Sequence, residues 1–304
     1  MKIEKIGSRG TVFTFEDKES ALGEYSVYLI NGDNRLYLCD THLGPKSMEP
    51  IKEYLQAQGL NKPLVIFLSH SDWDHVWGVC AFDNPLVVGH VLCAQNIIQR
   101  GPLELLRYAS YQNGEIQLVN PNLTFDSRLF FPDDGVEFIY APGHTADSAI
   151  CYDRRDSVLY VGDLVEKPQP SIGWHDLENY IDTLEYLGEL PAQVIVSSHS
   201  GIVTREDIED NLEYIHGCLE IVLKEPPQED DDDGGEDYLR KLYTLLLYED
   251  AIAQTVGGDF DYSSFQRQLW QSLDMDYLSS ESTLLDNVDY EELKLALESY
   301  MAGL

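Results

Sequence analysis

The chain predicts a layered α/β fold, on three observations. Short runs rich in β-branched and aromatic residues recur through the first two hundred positions, several alternate with helix-like segments, and four of the runs end in His70, His144, Asp163 and His199. Sheets flanked by helices account for the first two. The third fits such folds because functional side chains collect at the ends of their strands.

The elements follow in order. TVFTF (11–15), YSVYLI (25–30) and RLYLCD (35–40) open the strand series, and the helix-like KSMEPIKEYLQAQ (46–58) separates them from PLVIFLSH (63–70) and PLVVGH (85–90). VEFIYAPGH (136–144), AICYD (149–153) and SVLYVGD (157–163) come next, then the helix-like DLENYIDTLEYLG (176–188), and QVIVSSH (193–199) closes the series. The stretches 98–130 and 166–176 read as specificity loops without recognisable pocket chemistry.

After about residue 205 the texture changes. Residues 201–304 carry 26 acidic and 6 basic side chains, against 28 and 14 in residues 1–200. KEPPQEDDDDGGED (224–237) joins proline, glycine and a like-charge run, which predicts an exposed loop. Beyond it Leu239, Leu242 and Leu246, then Phe265, Leu269, Trp270 and Leu273, then Leu293, Leu297 and Tyr300 fall at helical spacing. We therefore expect two units: a layered α/β domain over 1–204 and an acidic, mainly helical C-terminal extension over 205–304. The apolar faces of that extension should pack on the main domain or on a partner chain, giving a surface for a homodimer or protein partner.

Bulk composition narrows the function. A net charge of -34 would repel phosphate backbones, so no nucleic-acid partner is expected. The N-terminal MKIEKIGSRG lacks an apolar export core and no stretch approaches a membrane span, so the expected location is cytoplasmic, with no membrane partner. Cys39, Cys80, Cys93, Cys151 and Cys218 are odd in number and never form a CxxC, which predicts buried thiols rather than disulfides or a thiolate zinc site.

The chemistry concentrates in LSHSDWDHVWG (68–78), where His70, Asp72, Asp74 and His75 lie within six positions. Imidazole and carboxylate are the usual ligands of zinc and related divalent ions, and a loop leaving a strand can aim all four into one pocket. Alone, the stretch is also compatible with a helix N-cap region carrying polar decoration. Three more segments change that balance: APGHTADS with His144, YVGDLVE with Asp163 and IVSSHSG with His199, each following a β-type run beside small residues.

On these motifs residues 10–200 resemble the metallo-β-lactamase-fold superfamily. The resemblance implies an αββα sandwich with two metals between the strand ends of its sheets. It assigns His70 and His144 to a first metal, Asp74, His75 and His199 to a second, and Asp163 as the bridge. One position departs, since the family's HxHxDH motif here reads HxDxDH, with Asp72 at the second histidine. Three carboxylates then face the four positive charges of two divalent ions, a more electron-rich centre that tolerates iron or manganese better than the all-histidine version. Asp72 either ligates directly or acts from the outer shell.

The expected cofactors are two divalent ions, zinc foremost and iron or manganese because of Asp72. The expected activity is hydrolysis of a small ester, thioester or lactone by a metal-bound hydroxide, with Asp74 and Asp163 as catalytic proton acceptors or relays. Trp174 and His175 are candidates for substrate binding, Glu166 for an outer-shell carboxylate, and His42 for an outer-shell or packing role. His90 and His216 read as structural or surface residues. Two other functions remain open: a diiron redox or oxygen-sensing protein like the flavodiiron relatives, which carry a carboxylate at the Asp72 position, and a non-catalytic metal-bound interaction module.

Overall fold

In the computed structural model of the chain, residues 1–17 and 23–223 are described, with Leu239, Tyr243 and Leu246. The expected loop 224–237 and the helical faces beyond it otherwise lie outside the described residues.

The first sheet is built from β1 (Lys2–Ile6), β2 (Gly10–Asp17), β3 (Gly23–Asn31), β4 (Leu36–Cys39), β5 (Leu64–Phe67), β6 (Leu86–His90) and β7 (Leu123–Phe125), paired in chain order. Pairing is antiparallel from β1 to β4 and parallel from β4 to β7. The second holds β8 (Arg128–Phe131), β9 (Val136–Tyr140), β10 (Ala149–Asp153), β11 (Val158–Tyr160), β12 (Val194–Ser197) and β13 (Gly201–Val203), in the order β13-β12-β11-β10-β9-β8. Each β-type run read from the sequence lies on one of these strands; β1, β7, β8 and β13 carried weaker signals because they are short or half-exposed.

The sheets pack face to face through one apolar layer. Tyr28, Tyr37, Phe67 and Val88 from the first sheet meet Phe138, Cys151, Tyr160 and Val196 from the second, with the Phe67 and Phe138 rings stacked at 4.4 Å. Helices cover the outer faces. On the first sheet lie α1 (Glu49–Ala57), the single turn α2 (Trp73–Val76) and α3 (Val91–Arg107), which supply Ile51, Val76, Cys93 and Ile97 to the buried cluster there. On the second lie α4 (Leu177–Glu189) and α5 (Arg205–Leu223), which bury Tyr180, Leu184 and Leu187 with Ile208, Ile215 and Cys218. This is the αββα sandwich that the resemblance implies.

The stretch 98–130 is not all loop, because α3 runs on to Arg107. Gly101 and Pro102 inside that helix conceal it in the sequence, since both weaken helix interiors. All five cysteines are free thiols, four of them buried. Among the described residues no helix is long and apolar enough to cross a membrane.

Candidate metal centre

Strand direction creates the site. β4, β5, β9, β11 and β12 all run toward one end of the sandwich, and the residues just past their ends are Asp40, His70, His144, Asp163 and His199. The sheets are tied together there by Ser26 N–H on Ser198 O at 2.6 Å and Ala149 N–H on Ser69 O at 2.7 Å. Gly162 precedes Asp163 at φ +57°, with Ser69 Oγ only 2.7 Å from where a Cβ would stand, so the turn that delivers Asp163 admits no side chain.

All seven sequence-predicted ligands converge. Asp163 Oδ2 lies 3.2 Å from His75 Nε2, 3.4 Å from His199 Nε2, 3.7 Å from His70 Nε2 and 3.9 Å from His144 Nε2. Asp74 Oδ2 is 3.2 Å from His199 Nε2 and 3.7 Å from His75 Nε2. Asp72 Oδ2 is 3.6 Å from the Nε2 atoms of both His70 and His144. Two groups result: the ligand atoms of His70, His144 and Asp163 fall within 4.8 Å of one another, and those of Asp74, His75 and His199 do the same. Asp72 occupies the N-cap position of α2, yet its side chain makes no cap bond and turns to the imidazoles instead, which answers the N-cap alternative.

The imidazoles are oriented from behind. His75 Nδ1 donates to Asp40 Oδ2 at 2.9 Å, His70 Nδ1 to Ser69 Oγ at 2.9 Å and His144 Nδ1 to Ser171 O at 3.1 Å. Each bond places a proton on Nδ1 and turns Nε2 inward, so that a metal displacing the proton from Nε2 would find the tautomer it needs. Asp40 is itself saturated: it also accepts from Ser69 N–H at 2.8 Å, Ser69 Oγ–H at 2.6 Å and Tyr160 O–H at 2.8 Å.

Burial opposes charge throughout this cluster, yet the pairs prevail. Against burial, the Asp72 carboxylate 3.6 Å from Nε2 and the field of Asp163 push the His144 imidazole up to about 10. His199 reaches about 9 through Asp163 and Asp74, and His75 is driven well above its ordinary value by Asp163, Asp74 and Asp40. The same contacts hold the Asp72 and Asp163 carboxyls well below the usual carboxylate range despite burial. Such a cluster gathers positive charge. His70 Nε2, Asp72 Oδ1 and Asp163 Oδ1 are buried without hydrogen-bond partners among the described residues, so inward Nε2 atoms and carboxylate charge fit divalent cations that would displace the imidazole protons.

The remaining candidates fall around this centre. Burial and Asp163 push the Glu166 carboxyl up, and its Oε2 accepts from Ser171 N–H at 3.2 Å and Ser171 Oγ–H at 3.1 Å. Trp174 and His175 sit in the loop that touches His144; the Trp174 Nε1 is buried without a partner among the described residues. His42 is buried and stacks on Tyr25 at 4.2 Å, while Tyr25 meets His75 and His199 edge-on at 5.3 and 5.1 Å. His90 is structural: it stacks on Tyr140 at 3.9 Å and bonds Asp126 O at 2.7 Å. His216 is exposed. Asp40 is the residue sequence reasoning passed over.

Comparison with known proteins agrees with this fold. The family model described as Metallo-beta-lactamase superfamily matches residues 22–199. The chain is 24% identical over 194 residues to the human protein named acyl-coenzyme A thioesterase MBLAC2, covering 54% of this chain and 67% of that one. The Bos taurus protein of the same name matches to the same extent. Among solved structures, a metallo-beta-lactamase from Pontibacter korlensis superposes with a TM-score of 0.56 at 21% identity, covering 71% of this chain and 98% of that one. One from Hirschia baltica gives 0.56 at 18% identity, over 70% and 96% of the two chains.

Proposed function

The chain belongs to the metallo-beta-lactamase superfamily and is a hydrolase, and from that premise we propose a two-metal enzyme acting on a small ester, thioester or lactone. The observation that carries it is Asp163 Oδ2 standing within 3.9 Å of four inward-facing imidazole nitrogens. In this reading His70, His144 and Asp72 hold one ion, Asp74, His75 and His199 hold the other, and Asp163 is shared. Divalent ions so held supply a lowered pKa to bound water and polarise a substrate carbonyl.

The chain's own residues do the rest. Asp40, Ser69 and Ser171 O keep three imidazoles in one tautomer and orientation. Asp74 and Asp163, held as carboxylates, accept and pass on the proton of the attacking water. Trp174 offers a buried indole N–H that a substrate oxygen would satisfy. Within the ester class the likeness to proteins named acyl-coenzyme A thioesterase favours a thioester.

The test is metal analysis of the purified chain with turnover on a panel of esters, thioesters and lactones. Two equivalents of metal and thioester turnover abolished by Asp163→Ala are expected. A folded protein with two ions that turns over nothing on the panel would reject the enzyme reading, and a redox-active iron spectrum would favour the diiron redox or oxygen-sensing reading instead.

A further inference from the structure

The loop after β11 touches His144 twice. Ser171 O accepts from His144 Nδ1 at 3.1 Å, and Gly173 N–H donates to His144 O at 2.9 Å. Gly173 lies so close that a Cβ there would stand 2.8 Å from the same carbonyl. His144 is thus gripped on side chain and backbone by one loop, and what holds that loop lies elsewhere in the chain.

The loop begins at Glu166, whose backbone is bracketed by a single side chain. Glu166 N–H donates to Asn211 Oδ1 at 2.9 Å and Asn211 Nδ2 donates to Glu166 O at 2.8 Å. Asn211 is fully buried on α5, and the next residue, Lys167, reaches Asp207 one turn earlier at 3.5 Å. The loop ends at His175, whose ring meets Tyr243 edge-on at 6.4 Å. Tyr243 packs against the α4–α5 core, in which Leu239, four positions before it, is buried. Both anchors are polar or aromatic side chains on a layer that supplies none of the seven ligands.

We propose that Asn211 and Tyr243 are positioning residues that clamp the 166–175 loop onto His144 and so set the geometry of the His70, Asp72 and His144 group. The consequence for metal binding rests on the two-ion reading above; the clamp itself does not. Residues beyond 204 then serve the centre through that loop. His75, backed by Asp40 in the interior, is independent of them.

The test uses the full chain with Asn211→Asp, which keeps the acceptor and removes the donor to Glu166 O, together with Tyr243→Ala, Tyr243→Phe and the exposed control Ile98→Ser. Hydrogen exchange of the Gly173 amide is read in metal-free protein, and zinc affinity is read for each equivalent. Asn211→Asp and Tyr243→Ala should speed Gly173 exchange about tenfold, while the β4 and β5 amides keep their protection, and weaken one zinc equivalent by roughly 10–100-fold. Tyr243→Phe, which retains the ring, should restore both values. Unchanged Gly173 exchange in the two disruptive variants, or protection lost evenly across the fold, overturns the clamp. If the parent chain binds no zinc while Gly173 responds as expected, the two-ion reading fails and the clamp stands.

Discussion

The two ends of the sandwich solve the same electrostatic problem in opposite ways. At the end where β9 begins and β10 finishes, buried Asp134 and Asp153 are met by guanidinium groups: Arg9 Nε bonds Asp153 Oδ2 at 2.9 Å, and Arg35 Nη1 bonds Asp134 Oδ2 at 3.1 Å. Although burial raises it, the Asp134 carboxyl is held below its usual range by Asn34 N–H, the Tyr37 hydroxyl and Arg35. At the other end Asp72, Asp74 and Asp163 are paired with imidazoles, whose charge depends on what else is bound. A permanently charged partner closes a structure; a titratable partner leaves a place for a cation.

Exchanging single carboxylates should separate the two ends most sharply. Asp163→Ala should abolish metal retention and lower turnover by at least about a thousandfold, since subtracting a shared ligand disables both groups, while the fold survives. Asp153→Ala should do the reverse, costing about 3–5 kcal/mol because it strands Arg9, with metal stoichiometry unchanged in whatever remains folded. Circular dichroism melts and metal analysis of both variants check this, and equal loss of stability in the two would erase the distinction.

Asp40 crosses the comparison. It stands at the metal end, yet it is as fully satisfied as the far-end anions, with four donors from Ser69, Tyr160 and His75. Asp40→Asn should therefore show both phenotypes: roughly 10–100-fold weaker binding of the ion held by His75, and a lowered melting temperature from a mismatched donor in a buried network. Weakening of the other equivalent instead would misplace the Asp40 contribution.

Much of this was legible in the residues themselves. The strand runs were apolar enough to stand out, and the converging side chains could be read because His70, His144, Asp163 and His199 stand in one set of motifs, whereas His90 and Asp153 also end apolar runs and serve packing and ion pairing. Asp40 likewise ends RLYLCD, but its partner His75 is 35 positions away and a lone carboxylate advertises nothing. Asn211 was less legible still. Its bonds are to the backbone of Glu166, and a backbone partner leaves no trace in side-chain pattern. α3 was obscured by Gly101 and Pro102, whose local cost is overridden by packing of Cys93 and Ile97 on the sheet.

Within the metal end, Asp72 distinguishes the two groups. The first has an added carboxylate over His70 and His144, and this side chain is 27% exposed where Asp74 is 8%. Replacing it by the family's histidine removes one negative charge from a partly open position. Asp72→His should shift competition between zinc and manganese toward zinc by at least about tenfold, or 1.4 kcal/mol, measured by metal content after loading from an equimolar mixture. An unchanged ratio would mean that Asp72 acts from outside the ligand shell.

The smallest effect tests how much unpaired charge the metal end tolerates beside the site. Glu104 on α3 is buried; burial, with the fields of Asp72, Asp147 and Asp74, pushes its carboxyl up to about 7, and Arg100 only partly offsets this at 3.5 Å. The folded chain therefore binds this proton more tightly than the unfolded chain, whose glutamate titrates near 4.5. Between those two values the folded state carries the extra proton, so stability falls as pH rises through the window and stays low above it. Glu104→Gln should leave the melting temperature unchanged at pH 4 and raise it by a few degrees at pH 8, with an upper bound on the order of 3 kcal/mol. At the far end the sign reverses: Asp134 has a lowered carboxyl, so its contribution is lost as pH falls and removing it can only destabilise near neutrality. A Glu104→Gln variant no more stable at pH 8 than its parent would show that Arg100 pairs Glu104 as completely as Arg35 pairs Asp134.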